Sequence, residues 1–136
     1  MNKQPNASFK IVTFVALLLF VVGCASTSTP SLQGTWVTTL TEAESPASYG
    51  QWEMTFADGG RFSARLDRTG GTVEGRYTFT QEQYVETDES GRYSCGNETA
   101  TYKWSVEKDN LTMTPIDDKC GGRRVVLGLH PWSRKK

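Results

Sequence analysis

The chain has 136 residues, with 15 basic and 15 acidic side chains, a single His and three Cys. That length holds one domain, and the balanced charge leaves no footprint for nucleic acid or another polyanion. One imidazole and scattered thiols exclude most metal sites and His-based catalysis, while four Trp and an aromatic share of 11% belong to a packed chain.

Met1 to Lys10 is polar and carries Lys3 and Lys10, and Ile11 to Val22 is a near-continuous apolar run. A charged start, a short apolar stretch and a small residue at the cut describe a secretory signal peptide over residues 1–23. The run falls short of the roughly 20 apolar residues that a membrane span needs. Val21-Val22-Gly23-Cys24 resembles the lipobox of bacterial lipoproteins. The resemblance implies a diacylglycerol on the Cys24 sulfur, cleavage ahead of it, and further acylation of the new amino group. Two or three acyl chains suffice for stable anchoring, so the membrane is an expected partner. Ala25 at the next position implies, in a Gram-negative host, the outer membrane facing the periplasm. Residues 24–33, small and polar with Pro30, read as a flexible tether.

From Gly34 the apolar pattern has period two. Trp36, Thr38 and Leu40 share one face, as do Trp52, Met54 and Phe56. Asp58-Gly59-Gly60 then offers a hairpin turn before Phe62, Ala64 and Leu66. Thr69-Gly70-Gly71 turns into Val73, Gly75, Tyr77 and Phe79, and Tyr84 to Thr87 is a weaker strand. Tyr102, Trp104 and Val106 follow, then a turn at Lys108-Asp109-Asn110, then Leu111 and Met113; Val125, Leu127 and Leu129 read as the last strand. No segment shows a helical face. About eight short strands with tight turns predict an all-β, up-and-down, eight-stranded antiparallel barrel over residues 34–134, with a two-sheet sandwich as the alternative.

In an exported chain the even pair Cys95 and Cys120 reads as a disulfide. It would close a loop worth roughly 3–4 kcal/mol in the chain-entropy picture. There is no CxxC, and these thiols with His130 lack zinc spacing, so no metal or other cofactor is expected.

Gly34-Thr35-Trp36 at the first strand resembles the Gly-x-Trp of the lipocalin (calycin) superfamily. Tyr102-Lys103-Trp104, Asn110 to Pro115 and Asp118-Lys119-Cys120-Gly121-Gly122-Arg123 resemble small bacterial lipocalin-like domains. The resemblance implies a basic residue of the last strand, Arg123 or Arg124, laid over Trp36. A guanidinium on an indole is worth roughly 0.5–2 kcal/mol and plugs one barrel end, so Gly34, Trp36 and Arg123 read as structural. Asp117 and Asp118 point to opposite faces and form no acid/base pair; Asp118 is expected to bond a turn or pair with Arg123. With no phosphate loop or nucleophile motif, the chain is not expected to be an enzyme.

The inward set is Trp36, Trp52, Met54, Phe56, Phe62, Leu66, Tyr77, Phe79, Tyr102 and Trp104. Such a set fills most of an eight-stranded interior, which otherwise has room for one small ligand. The expected function is a membrane-anchored envelope lipoprotein that binds a small apolar or amphipathic ligand, with Trp52, Phe56, Phe62, Tyr77, Tyr102 and Trp104 as candidate lining. The alternatives are a periplasmic inhibitor of a lysozyme or protease, and a structural envelope lipoprotein. Ser90-Gly91-Arg92-Tyr93 loosely resembles elements of a lysozyme-inhibitor family, and as an exposed loop it should be replaceable at little cost to stability.

Overall fold

The computed structural model describes residues 31–136. The expected signal peptide, Cys24 and most of the expected tether lie outside them. The strands are β1 (Gly34–Leu40), β2 (Gly50–Ala57), β3 (Arg61–Leu66), β4 (Thr72–Phe79), β5 (Gln83–Ser90), β6 (Thr99–Glu107), β7 (Asn110–Asp117) and β8 (Trp132–Arg134). They hydrogen-bond in chain order and β8 returns to β1, closing an up-and-down antiparallel barrel. The expected fold class is therefore observed, and the sandwich is not.

Alternation decides the inward face. On β3, Phe62, Ala64 and Leu66 are buried while Arg61, Ser63 and Arg65 are exposed; β2 does the same with Trp52, Met54 and Phe56. Phe79 is the exception to the expected inward set: it is the last residue of β4 and is 42% exposed, its ring stacked on Tyr77.

The C-terminal region corrects the expected last strand. Gly121–Gly128 is a helix, α1, and the eighth strand is Trp132–Arg134. The inward residues of α1 are Arg123, Val126 and Leu127, spaced as one helical face, whereas Leu129 is 47% exposed. The three-residue β8 pairs with Trp36 and Val37 of β1 and with Asn110 and Leu111 of β7. Beyond it α1 packs on β7, with Gly128 close against Pro115.

The barrel has two unlike ends. At one lie the start of β1, the β2–β3, β4–β5 and β6–β7 turns, and the C-terminus. There Arg134, not Arg123 or Arg124, lies 4.1 Å above the Trp36 ring. Its Nη1 donates to the Gln33 carbonyl at 2.8 Å and its Nη2 to that of Ser31 at 3.1 Å. The Trp36 Nε1–H donates to the Leu32 carbonyl, and Leu32 itself is fully buried. The domain therefore begins before Gly34, and the last residues of the expected tether are wall, not linker. Gly34 has a φ of +108°, and a Cβ there would stand 3.1 Å from Arg134 Nη1, so the glycine allows the arginine to lie down. The other end is covered by α1, the segment between β1 and β2, and the loop between β5 and β6. Arg123 is buried at this helix end, and Arg124 is exposed.

This closure predicts a ranking measurable by urea unfolding. Trp36→Ala should cost about 3–5 kcal/mol as a large buried aromatic. Arg134→Ala should cost about 1–3 kcal/mol through the lost cation–π contact and carbonyl bonds. Arg124→Ala should stay within about 0.5 kcal/mol; a larger loss there than at Arg134 would contradict the assignment.

Candidate functional site

Strand β5 turns Tyr84, Glu86 and Asp88 into the barrel, all three buried. The acids survive there because α1 reaches down with Arg123. Its Nε and Nη2 grip Asp118 from two sides, at 2.9 Å to Oδ2 and 2.9 Å to Oδ1. Its Nη1 donates to Asp88 Oδ1 at 3.1 Å and to the Glu98 carbonyl at 2.9 Å. Glu86 Oε1 stands 3.7 Å from Arg123 Nε. Two tyrosines complete the cluster: Tyr84 donates to Glu86 Oε2 at 2.5 Å, and Tyr102 donates to Asp118 Oδ2. Among the described residues no trio of His, Cys, Asp and Glu is placed to hold a metal ion. These carboxylates converge on a guanidinium instead.

Cys95 and Cys120 form the expected disulfide, with Cα atoms 6.1 Å apart. It joins the β5–β6 loop to the residue ahead of α1. Both half-cystines are also tied to the cluster: the Cys95 N–H donates to Asp88 Oδ2 at 2.7 Å and the Cys120 N–H to Asp118 Oδ1 at 2.8 Å. The covalent staple and the ion cluster therefore hold the same two pieces of chain.

The cluster shifts its members' acidity in opposite directions. Burial pushes the Glu86 carboxyl up to about 7, with Asp88 and Asp118 adding repulsion, while the Tyr84 hydroxyl and Arg123 only partly offset this. Burial would raise Asp118 too, but the bonds from Arg123, Tyr102 and the Cys120 N–H outweigh it and hold it below the usual carboxylate range. Burial would lower the Arg123 guanidinium, yet its carboxylates raise it further. Burial also lifts the Tyr84 and Tyr102 hydroxyls, which stay protonated as donors.

Beside the cluster, under α1, is a cavity of about 90 Å³. Its apolar wall includes Trp52, Met54, Phe62, Ala64, Val73 and Leu127; Glu86, Asp88 and Arg123 form the polar side. Of the expected lining residues only Trp52 and Phe62 are in this wall. Phe56 and Tyr77 pack edge to face 4.9 Å apart within the core. Tyr102 belongs to the ion cluster, and Trp104 sits at the other end, bonded to the Thr80 carbonyl. Gly34 and Trp36 do not line the cavity, whereas Asp118 and Arg123 are in the cluster beside it.

Glu86 and Asp88 were missed by sequence reasoning, although Tyr84-x-Glu86-x-Asp88 places both acids on the face of an aromatic. The Ser90–Tyr93 segment also needs correction. Ser90, Gly91 and Arg92 are exposed, but Tyr93 turns inward, its ring 5.3 Å from Trp52 and its hydroxyl bonded to Thr69. Gly91 has a φ of +109°, and a Cβ there would meet the Thr72 carbonyl oxygen at 2.1 Å. Replacing that loop cannot leave stability untouched. His130, the single imidazole, pairs with Glu44 at 2.8 Å and takes no part in the cavity wall.

The cluster predicts an unusual pH profile. Unfolded Glu86 titrates near 4.5 and folded Glu86 near 7, so between those values the folded state holds more protons. Its stability should fall as pH rises through that window, by about 3 kcal/mol in total, and level off above it. Glu86→Gln should flatten the slope and be more stable than the parent at pH 8, in chemical denaturation at a series of pH values. Arg123→Met should cost about 3–5 kcal/mol at pH 8, since it strands buried carboxylates. A parent whose stability climbs from pH 5 to pH 7 would contradict the reading of Glu86.

No family model, no curated protein and no solved structure matches this chain.

Proposed function

We propose that the chain is a lipid-anchored envelope protein whose barrel holds one small ligand in the cavity under α1. The observation that carries the binding half is the cavity itself, about 90 Å³, apolar on one side with a polar cluster on the other. Pockets of this composition are the usual form of small-molecule sites, but drug-sized ligands occupy about 300–1,000 Å³. A ligand enclosed here is correspondingly small. The anchoring half rests on Cys24 after an apolar run and a small residue. The described residues begin at Ser31, at the Arg134 end of the barrel. That order would set the Arg134 end toward the membrane and the α1 end away from it.

The alternative roles have less in their favour. An inhibitor needs a projecting element, and of Ser90 to Tyr93 the aromatic member is packed against Trp52. A purely structural lipoprotein has no need of a cavity that sets an apolar wall against a polar cluster.

Two experiments test the two halves. Cys24→Ser should leave the protein unacylated and move it from the membrane fraction to the soluble fraction; a variant that remains processed and membrane-bound overturns the anchoring. The mature protein in detergent should take up xenon, seen as shifts of the Val73, Val126 and Leu127 methyls in NMR spectra under xenon pressure. Ala64→Leu, which adds side chain to the cavity wall, should remove those shifts. Xenon shifts that are absent, or unchanged by Ala64→Leu, count against a binding cavity.

A further inference from the structure

Little within α1 favours a helix. It is eight residues long, and three of them are Gly121, Gly122 and Gly128, the least favourable helix residue after proline. A Cβ at Gly122 would meet nothing within 4 Å, and neither Gly121 nor Gly122 has a positive φ, so the folded structure does not require glycine there. The Cys120 side chain makes no capping bond and no acid stands in the first turn, while Arg123 and Arg124 bring the wrong sign of charge to that end. A helix this short is marginal in water. Its docking keeps it.

That docking runs through one junction. Arg123 holds Asp118, Asp88 and the Glu98 carbonyl, and Val126 and Leu127 are the apolar residues that α1 buries. Buried ions break even only while their donors and acceptors stay in place. Here the Cys95 and Cys120 N–H groups position Asp88 and Asp118, and the disulfide fixes those two half-cystines to each other. The eight strands, by contrast, close the barrel through their own ladders. Cys120, Gly122, Arg123, Val126 and Leu127 line the cavity, so this segment is its cover. The opposite end is plugged by Trp36 under Arg134. Both half-cystines are only half-buried, and Cys95 stands beside exposed Gly96 and Asn97.

We propose that the Cys95–Cys120 disulfide is a redox latch on the cavity cover, and that its reduction by a dithiol releases α1 and opens the cavity to its ligand. The proposal rests on the reading of the cavity as a small-ligand site and adds how access to it is controlled. One thiolate of the dithiol attacks Cys95 Sγ and forms a mixed disulfide; the Sγ–Sγ bond breaks, and Cys120 leaves as a thiolate that takes a proton from water. The second thiolate of the reductant attacks its partner sulfur in the mixed disulfide and displaces Cys95, which is protonated in turn. Two electrons have then passed to the protein, which gains two thiols, and the reductant departs as its own disulfide. The β5–β6 loop and the start of α1, no longer joined, cease to hold Asp88 and Asp118 against Arg123. Water reaches the ions, which it solvates better than an imperfect cluster does, and α1 leaves the cavity.

Hydrogen–deuterium exchange of the folded mature protein in detergent, before and after treatment with dithiothreitol, tests the latch. On reduction the amides from Arg124 to Leu129 should exchange at least about 100-fold faster, the scale set by a staple between half-cystines 25 residues apart. Those of β2 and β3 should remain protected. Reoxidation should restore the protection of α1, and Cys95→Ala/Cys120→Ala should match the reduced protein with no dithiol present. Xenon shifts of the Val126 and Leu127 methyls, present in the oxidised protein, should be lost on reduction. Amides of α1 that stay protected after complete reduction overturn the latch; xenon shifts in that oxidised protein leave the cavity reading standing. Protection lost from α1 and all the strands together also overturns it, because the disulfide is then a staple of the whole barrel. Loss of α1 protection in a protein whose oxidised form takes up no xenon overturns the cavity reading, and with it the control of access.

Discussion

A guanidinium buried with three carboxylates is a costly thing to place inside a barrel this small. Each ion gives up water worth several kcal/mol, and the cost is recovered only if nearly every donor and acceptor finds a partner. Arg123 meets that condition: it holds Asp118 with two nitrogens, Asp88 and the Glu98 carbonyl with a third, and stands beside Glu86. Those partners come from β5, from the loop after it and from the end of β7, while the arginine itself comes from α1. One side chain therefore ties together the four pieces of chain that close the helix end. The disulfide reinforces the same junction, because its two backbone N–H groups bond the same Asp88 and Asp118. What β-ladder hydrogen bonds do elsewhere in the barrel, a cluster of charges does here.

The opposite end is closed by different physics. Arg134 lies flat on Trp36 and is bonded to two carbonyls of the incoming chain. It is partly exposed and needs no buried counter-ion, so this end carries little electrostatic cost. The contrast explains where the cavity is. Toward the Arg134 end the aromatic rings of neighbouring strands fill the interior, with Phe56, Tyr77 and Tyr84 in mutual contact. Under α1, which covers the end of the barrel, the inward residues Arg123, Val126 and Leu127 do not fill the space left beside Ala64 and Val73.

The strands were legible from alternation alone wherever the inward residues are large and apolar, as at Trp52-x-Met54-x-Phe56. Alternation failed where the inward residue is charged. On β5 two acids share the face of Tyr84, so the segment looked like a weak strand although it spans Gln83–Ser90. In α1 the first inward residue is Arg123, and with that position discounted Val125, Leu127 and Leu129 mimic a period of two. The true face, Arg123 with Val126 and Leu127, has helical spacing. That misreading moved the last strand too early and offered Arg123 and Arg124 as the cover for Trp36, when the same rule applied to Trp132–Arg134 selects Arg134. Asp118 with Arg123 was legible as a pair because the two stand close in sequence, on either side of Cys120. Their joint partners Glu86 and Asp88 come from a distant strand, and sequence spacing cannot reveal that.

The ion cluster behaves as a unit in which Glu86 and Asp118 titrate far apart. Carbon-13 NMR of the Glu86 and Asp118 side-chain carboxyls, followed from pH 3 to pH 9 in the folded mature protein, measures it directly. Glu86 should titrate near 7, and Asp118 should remain ionised to below the ordinary range of an aspartate, because burial dominates the first and the grip of Arg123 the second. Glu86 titrating near 4.5 together with an ordinary Asp118 would mean that the cluster is open to water, and that Arg123 does not hold the helix end as described here.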